Sequence, residues 1–170
     1  MRLFIAIQLN KKLQKHVRDV QDAFRRQGVR GNYPPEENLH LTLAFIGEYG
    51  NPDAVLEAME TVSFEPFSIT MDSIGSFGDL WWTGLSDNEE LEVLVRKLRR
   101  SLAEAGIPFD RKRFKAHVTF LRRPTYGKGG IPHIRAVPVS MEVAGISLMR
   151  SERGRNGMIY TELGSVAAEE

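Results

Sequence analysis

The segment LHLTLA, residues 39–44, recurs in pattern as AHVTFL, residues 116–121. Each places a histidine and a threonine two positions apart among apolar residues: His40 and Thr42, then His117 and Thr119, 77 residues further on. In a β-strand, positions i and i+2 share one face and their neighbours take the other. His40 and Thr42 are therefore expected side by side, with Leu39, Leu41, Leu43 and Phe45 turned to a core. His117 and Thr119 repeat the arrangement, backed by Val118 and Phe120. With four histidines and seven threonines in 170 residues, two such pairs arise roughly once in a hundred random shuffles. A lone His-x-Thr is more often an ordinary half-buried strand; the matched pair reverses that preference. A repeat at nearly half the chain length predicts two lobes with internal pseudo-symmetry, one motif in each, facing a shared cleft.

The remaining pattern supplies both strands and helices. Residues 2–9, RLFIAIQL, read as a buried strand, and Asn10 caps a helix over 11–27 with Leu13, Val17, Val20 and Phe24 at helical spacing. Residues 29–38 read as a turn-rich connector in which Pro34 and Pro35 block pairing. A helix near 53–61, capped by Asn51 or Asp53, precedes strands near 66–74 and 79–84. A longer helix spans 88–105 and is closed by Gly106 and Pro108. Strands follow near 115–121, 137–149 and 157–163, with a Gly/Pro-rich loop over 123–135 and a frayed tail. The class is α+β. No linker separates independent units, so residues 1–170 are expected to form one bilobal domain. No Gly-rich loop sits between a strand and a helix, so dinucleotide-binding and P-loop readings lack support.

Composition narrows the chemistry. Hydrophobic residues make up 42% of the chain, enough for a packed core, and there is no cysteine. That excludes disulfides, thiolate metal sites and cysteine nucleophiles, and it suits a cytoplasmic protein. No apolar run approaches 18 residues, so no membrane span is expected, and the N-terminus lacks the marks of a signal peptide. The net charge is only +1, yet residues 111–155 hold eleven Lys and Arg against two Glu. Such a block is either a solvated surface or a contact for phosphates.

Two imidazoles suit acid–base chemistry. Histidine titrates near pH 6.5, so a neutral and a protonated ring coexist near neutrality. One takes a proton from water and the other gives one to a leaving oxygen, each worth ~10²–10⁴-fold. Threonine hydroxyls donate to phosphate oxygens, and an arginine adds a bidentate contact. The set fits attack of water on a phosphodiester without a metal. No His/Asp/Glu cluster accompanies either motif, so a metal hydrolase is a poor alternative.

At these residues the chain resembles the two-histidine phosphoesterase superfamily, and within it the bacterial and archaeal RNA 2′,3′-cyclic phosphodiesterases, also called 2′-5′ RNA ligases. The likeness runs through MRLFIAIQL, PPEENLHLTLAFIGE, SIGSFG with LWWTGL, FKAHVTFLRR and SLMRSERGRNGMIYTEL. It implies a bilobal α+β fold with antiparallel-rich sheets across a central cleft and helices outside. It implies hydrolysis of an RNA-terminal 2′,3′-cyclic phosphate to a 2′-phosphate with no cofactor and no metal. His40 and His117 would be the acid–base pair, leaning to His40 as acid and His117 as base. Thr42 and Thr119 would contact phosphate, as would Arg122. On a regular strand Arg122 faces away from His117 and Arg123 shares its face, so Arg123 is the backup unless the strand bulges near Leu121. Tyr33 stands where relatives often place tryptophan and is a candidate for base stacking. Partners would be RNA ends or nucleotides with a cyclic phosphate, with no membrane and a monomeric chain. Two other readings keep the cleft: an RNA- or nucleotide-binding module without catalysis, and a phosphodiesterase for 2′,5′-linked or small cyclic nucleotides. Phe77, Trp81, Trp82 and Tyr126 read as packing residues before base stackers, His133 as a remote candidate, and residues 127–130 as a flap.

Overall fold

Each helix begins where an asparagine side chain takes over an orphan backbone N–H. Asn10 accepts from Leu13 N at 3.0 Å, Asn51 from Ala54 N at 3.1 Å and Asn88 from Leu91 N at 3.0 Å. The helices are α1 (Lys11–Arg26), α2 (Pro52–Glu60) and α3 (Glu89–Glu104), close to the expected bounds. Their buried stripes are Leu13, Val17, Val20 and Phe24 on α1, and Leu91, Leu94, Val95, Leu98 and Leu102 on α3.

The computed structural model covers residues 1–170 and has nine strands: β1 (Arg2–Gln8), β2 (Arg30–Asn32), β3 (His40–Glu48), β4 (Phe67–Phe77), β5 (Leu80–Leu85), β6 (His117–Thr125), β7 (Val139–Val143), β8 (Gly145–Gly154) and β9 (Gly157–Ala167). They form two antiparallel sheets, in the orders β3-β1-β8-β9 and β2-β6-β5-β4-β7. The α+β class and the antiparallel sheets are as expected.

The sheets are not the two halves of the chain. The first takes β1 and β3 from the N-terminal part and β8 and β9 from the C-terminal end; the second takes β2 out of the connector. Four local expectations change accordingly. Residues 30–32 pair with β6 because the prolines fall just beyond them. The stretch 137–149 divides at Ala144 into β7 and β8, which join different sheets. β6 runs on to Thr125. The tail is tied down, with Ala168 N–H donating to Ala144 O and Glu169 N–H to Phe64 O, both at 2.8 Å.

Thirty-five buried residues from both sheets and all three helices pack together. A small second cluster, Phe4, Ala6 and Met149 with Tyr160 against it, lies apart from them. β1 therefore buries Leu3, Ile5 and Ile7 in the main core and Phe4 and Ala6 in this satellite. Burial on both faces is why its sequence reads as an unbroken apolar run.

Candidate active site

The strands that carry the repeat, β3 and β6, both begin at their histidine. In each, the ring bonds to the carbonyl two residues upstream: His40 Nδ1 to Asn38 O at 2.8 Å, and His117 Nδ1 to Lys115 O at 2.7 Å. A carbonyl only accepts, so Nδ1 carries the hydrogen in both rings and Nε2 is left for chemistry. His40 Nε2 meets Thr42 Oγ1 at 2.9 Å. Asn38 is itself held by its side-chain amide, which donates to Met158 O at 2.8 Å.

Both strands then bulge one residue after the threonine. Thr42 lies opposite Ala6 while Ala44 lies opposite Ile5, so Leu43 is extra. Thr119 lies opposite Trp82 while Leu121 lies opposite Trp81, so Phe120 is extra. Leu43 and Ala44 are both buried, as are Phe120 and Leu121, and the alternation resets. The fifth residue after each histidine returns to the histidine's face: Phe45 on β3 and Arg122 on β6 both line the cleft. Phe45 therefore leaves the core position expected for it. Arg122, not Arg123, is the arginine brought to the histidines. Arg123 is outside the cleft lining, with φ +54° and its N–H donating to Asp79 O at 2.8 Å. The buried amide of Gln21 supports the β6 bulge, donating to Phe120 O at 3.1 Å and Pro34 O at 2.9 Å.

The cleft has a volume of about 340 Å³ and gathers His40, Thr42, His117, Thr119 and Arg122, joined by Arg2, and no carboxylate lines it. Phe4 lies 4.7 Å from the His40 ring and Tyr160 stands edge-on to it at 5.2 Å. Burial pushes the His40 pKa down; the bond to Asn38 pulls it up, and the positive charges of Arg122 and His117 lower it further. Burial pushes the Tyr160 hydroxyl up, against the lowering effect of Arg122 and Arg2. Arg2, Ser151 and Tyr160 form one row across β1, β8 and β9. These residues escaped the reading of the sequence, because the row exists only once the termini share a sheet.

Tyr33 is not brought to the cleft. Its hydroxyl donates to Val29 O at 2.8 Å and Arg25 covers its ring at 4.2 Å. Trp81 is buried and its Nε1–H donates to Tyr126 Oη at 2.9 Å. Trp82 is half-buried against Phe77 and over Gly75 and Gly84, where an added Cβ would come within 2.4 and 2.7 Å of the indole. His133 and residues 127–130 are also outside the cleft lining. Of the segment expected to be a flap, Gly127 packs on the Gly28 backbone while Lys128 and Gly129 are exposed.

The family model described as LigT like phosphoesterase matches residues 7–80 and 84–160. This chain belongs to the LigT-like phosphoesterase family. An RNA 2′,3′-cyclic phosphodiesterase of Methanothermobacter thermautotrophicus is 30% identical over 96% of this chain and 96% of its own. Its namesake from Thermotoga maritima is 29% identical over 96% of this chain and 93% of its own. Among solved structures, Escherichia coli LigT complexed with 3′-AMP superposes with a TM-score of 0.87 at 26% identity, covering 99% of this chain and 98% of that one. Two constraints apply to this LigT-like chain: no group of three or more His, Cys, Asp or Glu side chains is placed to hold a metal ion, and no helix is long and apolar enough to cross a membrane.

Proposed function

We propose that this chain hydrolyses RNA-terminal 2′,3′-cyclic phosphates to 2′-phosphates, with His40 and His117 as the acid–base pair. The observation that carries the reading is the lining of the cleft: two imidazoles held to the Nδ1–H tautomer, two threonine hydroxyls and two arginines, with no carboxylate. Such a site attracts a phosphodiester anion and offers no ligand set for a divalent cation. The 2′,3′-cyclic phosphodiesterase names of the relatives point to the same substrate.

In the reaction, water attacks phosphorus and loses a proton to one Nε2. The P–O3′ bond breaks and O3′ takes a proton from the other Nε2–H, leaving a 2′-phosphomonoester and a free 3′-hydroxyl. Thr42, Thr119 and Arg122 hold the non-bridging oxygens as charge builds on them. We assign His40 as the acid and His117 as the base. Burial lowers the His40 pKa, and a bound phosphate anion only partly offsets this, so the ring that takes a proton from solvent holds it less tightly than a free histidine does. A buried imidazolium with little hold on its proton passes it readily to O3′. The two strands of the repeat then act as one bilobal unit, each contributing one imidazole.

The test is hydrolysis of a 2′,3′-cyclic nucleotide with EDTA present. Turnover that disappears in both His40→Ala and His117→Ala supports the reading. Binding without turnover in the wild type sinks it in favour of a binding module. Product analysis separates a 2′-phosphate from the products of 2′,5′-linked substrates.

A further inference from the structure

Both histidines give Nδ1–H to the carbonyl two residues upstream, yet the two carbonyls are held differently. Lys115 sits against the end of a ladder, because the next residue, Ala116, still accepts from Leu85 N at 3.2 Å. On β3 the ladder stops at the histidine: Gln8 opposite His40 is the last pair with β1, and Asn38 lies beyond it. Asn38 closes a single 3₁₀ turn, Glu36–Asn38, with its N–H donating to Pro35 O at 2.9 Å. A turn this short is weak by itself. It is tied on one flank to α1 by an exposed ion pair, Arg18 to Glu36 at 2.7 Å, a contact that holds loosely. On the other flank the half-buried Asn38 amide donates to Met158 O of β9 at 2.8 Å, across 120 residues of chain. Met158 and Tyr160 both line the cleft, and Tyr160 stands edge-on to the His40 ring. One side-chain amide thus joins the peptide that orients His40 to the strand that walls it.

We propose that Asn38 is a positioning residue for the acid: its side-chain amide, latched to Met158 O, holds the Asn38 carbonyl where it fixes the His40 ring with Nε2 toward the substrate. The inference rests on the role given to His40 under Proposed function. The torsion that turns an imidazole about its Cβ–Cγ bond is soft, so the direction of Nε2 has to be set by a partner at Nδ1. Without the latch the Asn38 peptide is free to rotate, the Nδ1–H bond bends, and Nε2 swings away from O3′. A displacement of ~1 Å at a proton donor costs up to ~10²-fold in rate. The backbone of the turn remains when the amide is removed, so the expected loss is smaller. His117 has no such latch, and its ring should not respond.

The experiment uses Asn38→Leu, which keeps the size of the side chain and removes the donor, with two readings. The first is kcat on adenosine 2′,3′-cyclic phosphate divided by kcat on bis(4-nitrophenyl) phosphate, whose nitrophenolate leaves without a proton. That ratio should fall ~10-fold, through kcat and not KM, with partial recovery in Asn38→Gln, which restores a donor. An unchanged ratio, with both substrates slowed alike or neither slowed, overturns the proposal. The second reading is the 15N–1H spectrum of the imidazole rings. The His40 Nδ1–H should exchange with water ~10-fold faster in Asn38→Leu, while the His117 signal stays as in the wild type and reports an intact fold. A His40 signal that does not change overturns the proposal. Should both rings change together, Asn38→Ala, which adds no bulk, is judged by the same two readings. If the wild type hydrolyses neither substrate, the phosphodiesterase reading has failed on its own, and the spectrum alone decides the latch.

Discussion

The unit β1–α1–β3 and the unit β5–α3–β6 solve one problem twice. Each runs from a strand into a 16-residue helix capped by asparagine, then returns antiparallel to the first strand. Each return strand begins on a histidine whose Nδ1–H is tied two residues upstream, and bulges after the threonine. Over their first six residues the two return strands share one order of burial. The units part at two points. The residue delivered by the bulge is Phe45 in one and Arg122 in the other. The His40 ring is enclosed by Phe4 and Tyr160, while His117 stands open toward Phe77 and a trough lined by Lys112, Arg113 and Lys115. The duplicated backbone places two imidazoles in one cleft; the side chains around it make them unequal.

The sharpest way to break this comparison is to remove the imidazoles in turn. His40→Ala and His117→Ala should each cost ~10²–10⁴-fold in kcat. A substrate with a nitrophenolate leaving group needs no acid, so it should rescue His40→Ala and leave His117→Ala inactive. The opposite pattern would exchange the two roles. Next come the bulge residues. Arg122→Ala should lower kcat/KM by ~10²-fold or more, with partial recovery in Arg122→Lys. Phe45→Ala should cost only ~10-fold, through KM. Equal losses would mean that the two bulges are also equivalent in function.

A smaller effect tests the support of the second bulge. Gln21→Leu leaves Phe120 O and Pro34 O without their donor, and should cost about 1–3 kcal/mol in chemical denaturation. It should also lower kcat, because Arg122 loses its setting. Undiminished activity in a destabilised variant would detach the bulge from catalysis.

The smallest effect is in pH. Burial lowers the pKa of His40 in the folded chain, so its contribution to stability is complete above about pH 6.5, the unfolded value. It is lost as pH falls toward the native pKa, where the unfolded chain binds a proton that the folded chain refuses. Tm should drop across that window, and less steeply in His40→Phe. His16, also lowered by burial, gives the same sign in both proteins and cancels in the difference. Identical slopes would place His40 in a more solvated setting than the rings around it indicate.

The repeat, the cap at Asn10 and the helical stripes were legible because each is a local pattern. Alternation and helical spacing need only a few neighbouring residues, and an asparagine reaches the N–H three positions on. The choice of Arg122 over Arg123 was not local. It depends on β5 pairing with β6 across an extra residue, and on Gln21, 99 residues earlier, taking the carbonyl that the bulge frees. Phe45 was misplaced for the same reason, since strict alternation carries no sign of where a ladder slips. Tyr160 and Arg2 had no visible role until the C-terminal hairpin joined the N-terminal strand in one sheet.

Sequence alone thus determined that two histidine–threonine pairs stand on strand faces turned to one cleft, because side-chain identity and strand period are properties of short segments. Tertiary structure decided which arginine joins them, which ring is buried and which surface runs away from them. Those follow from hydrogen-bond register and desolvation, which arise only between segments that the chain brings together from far apart.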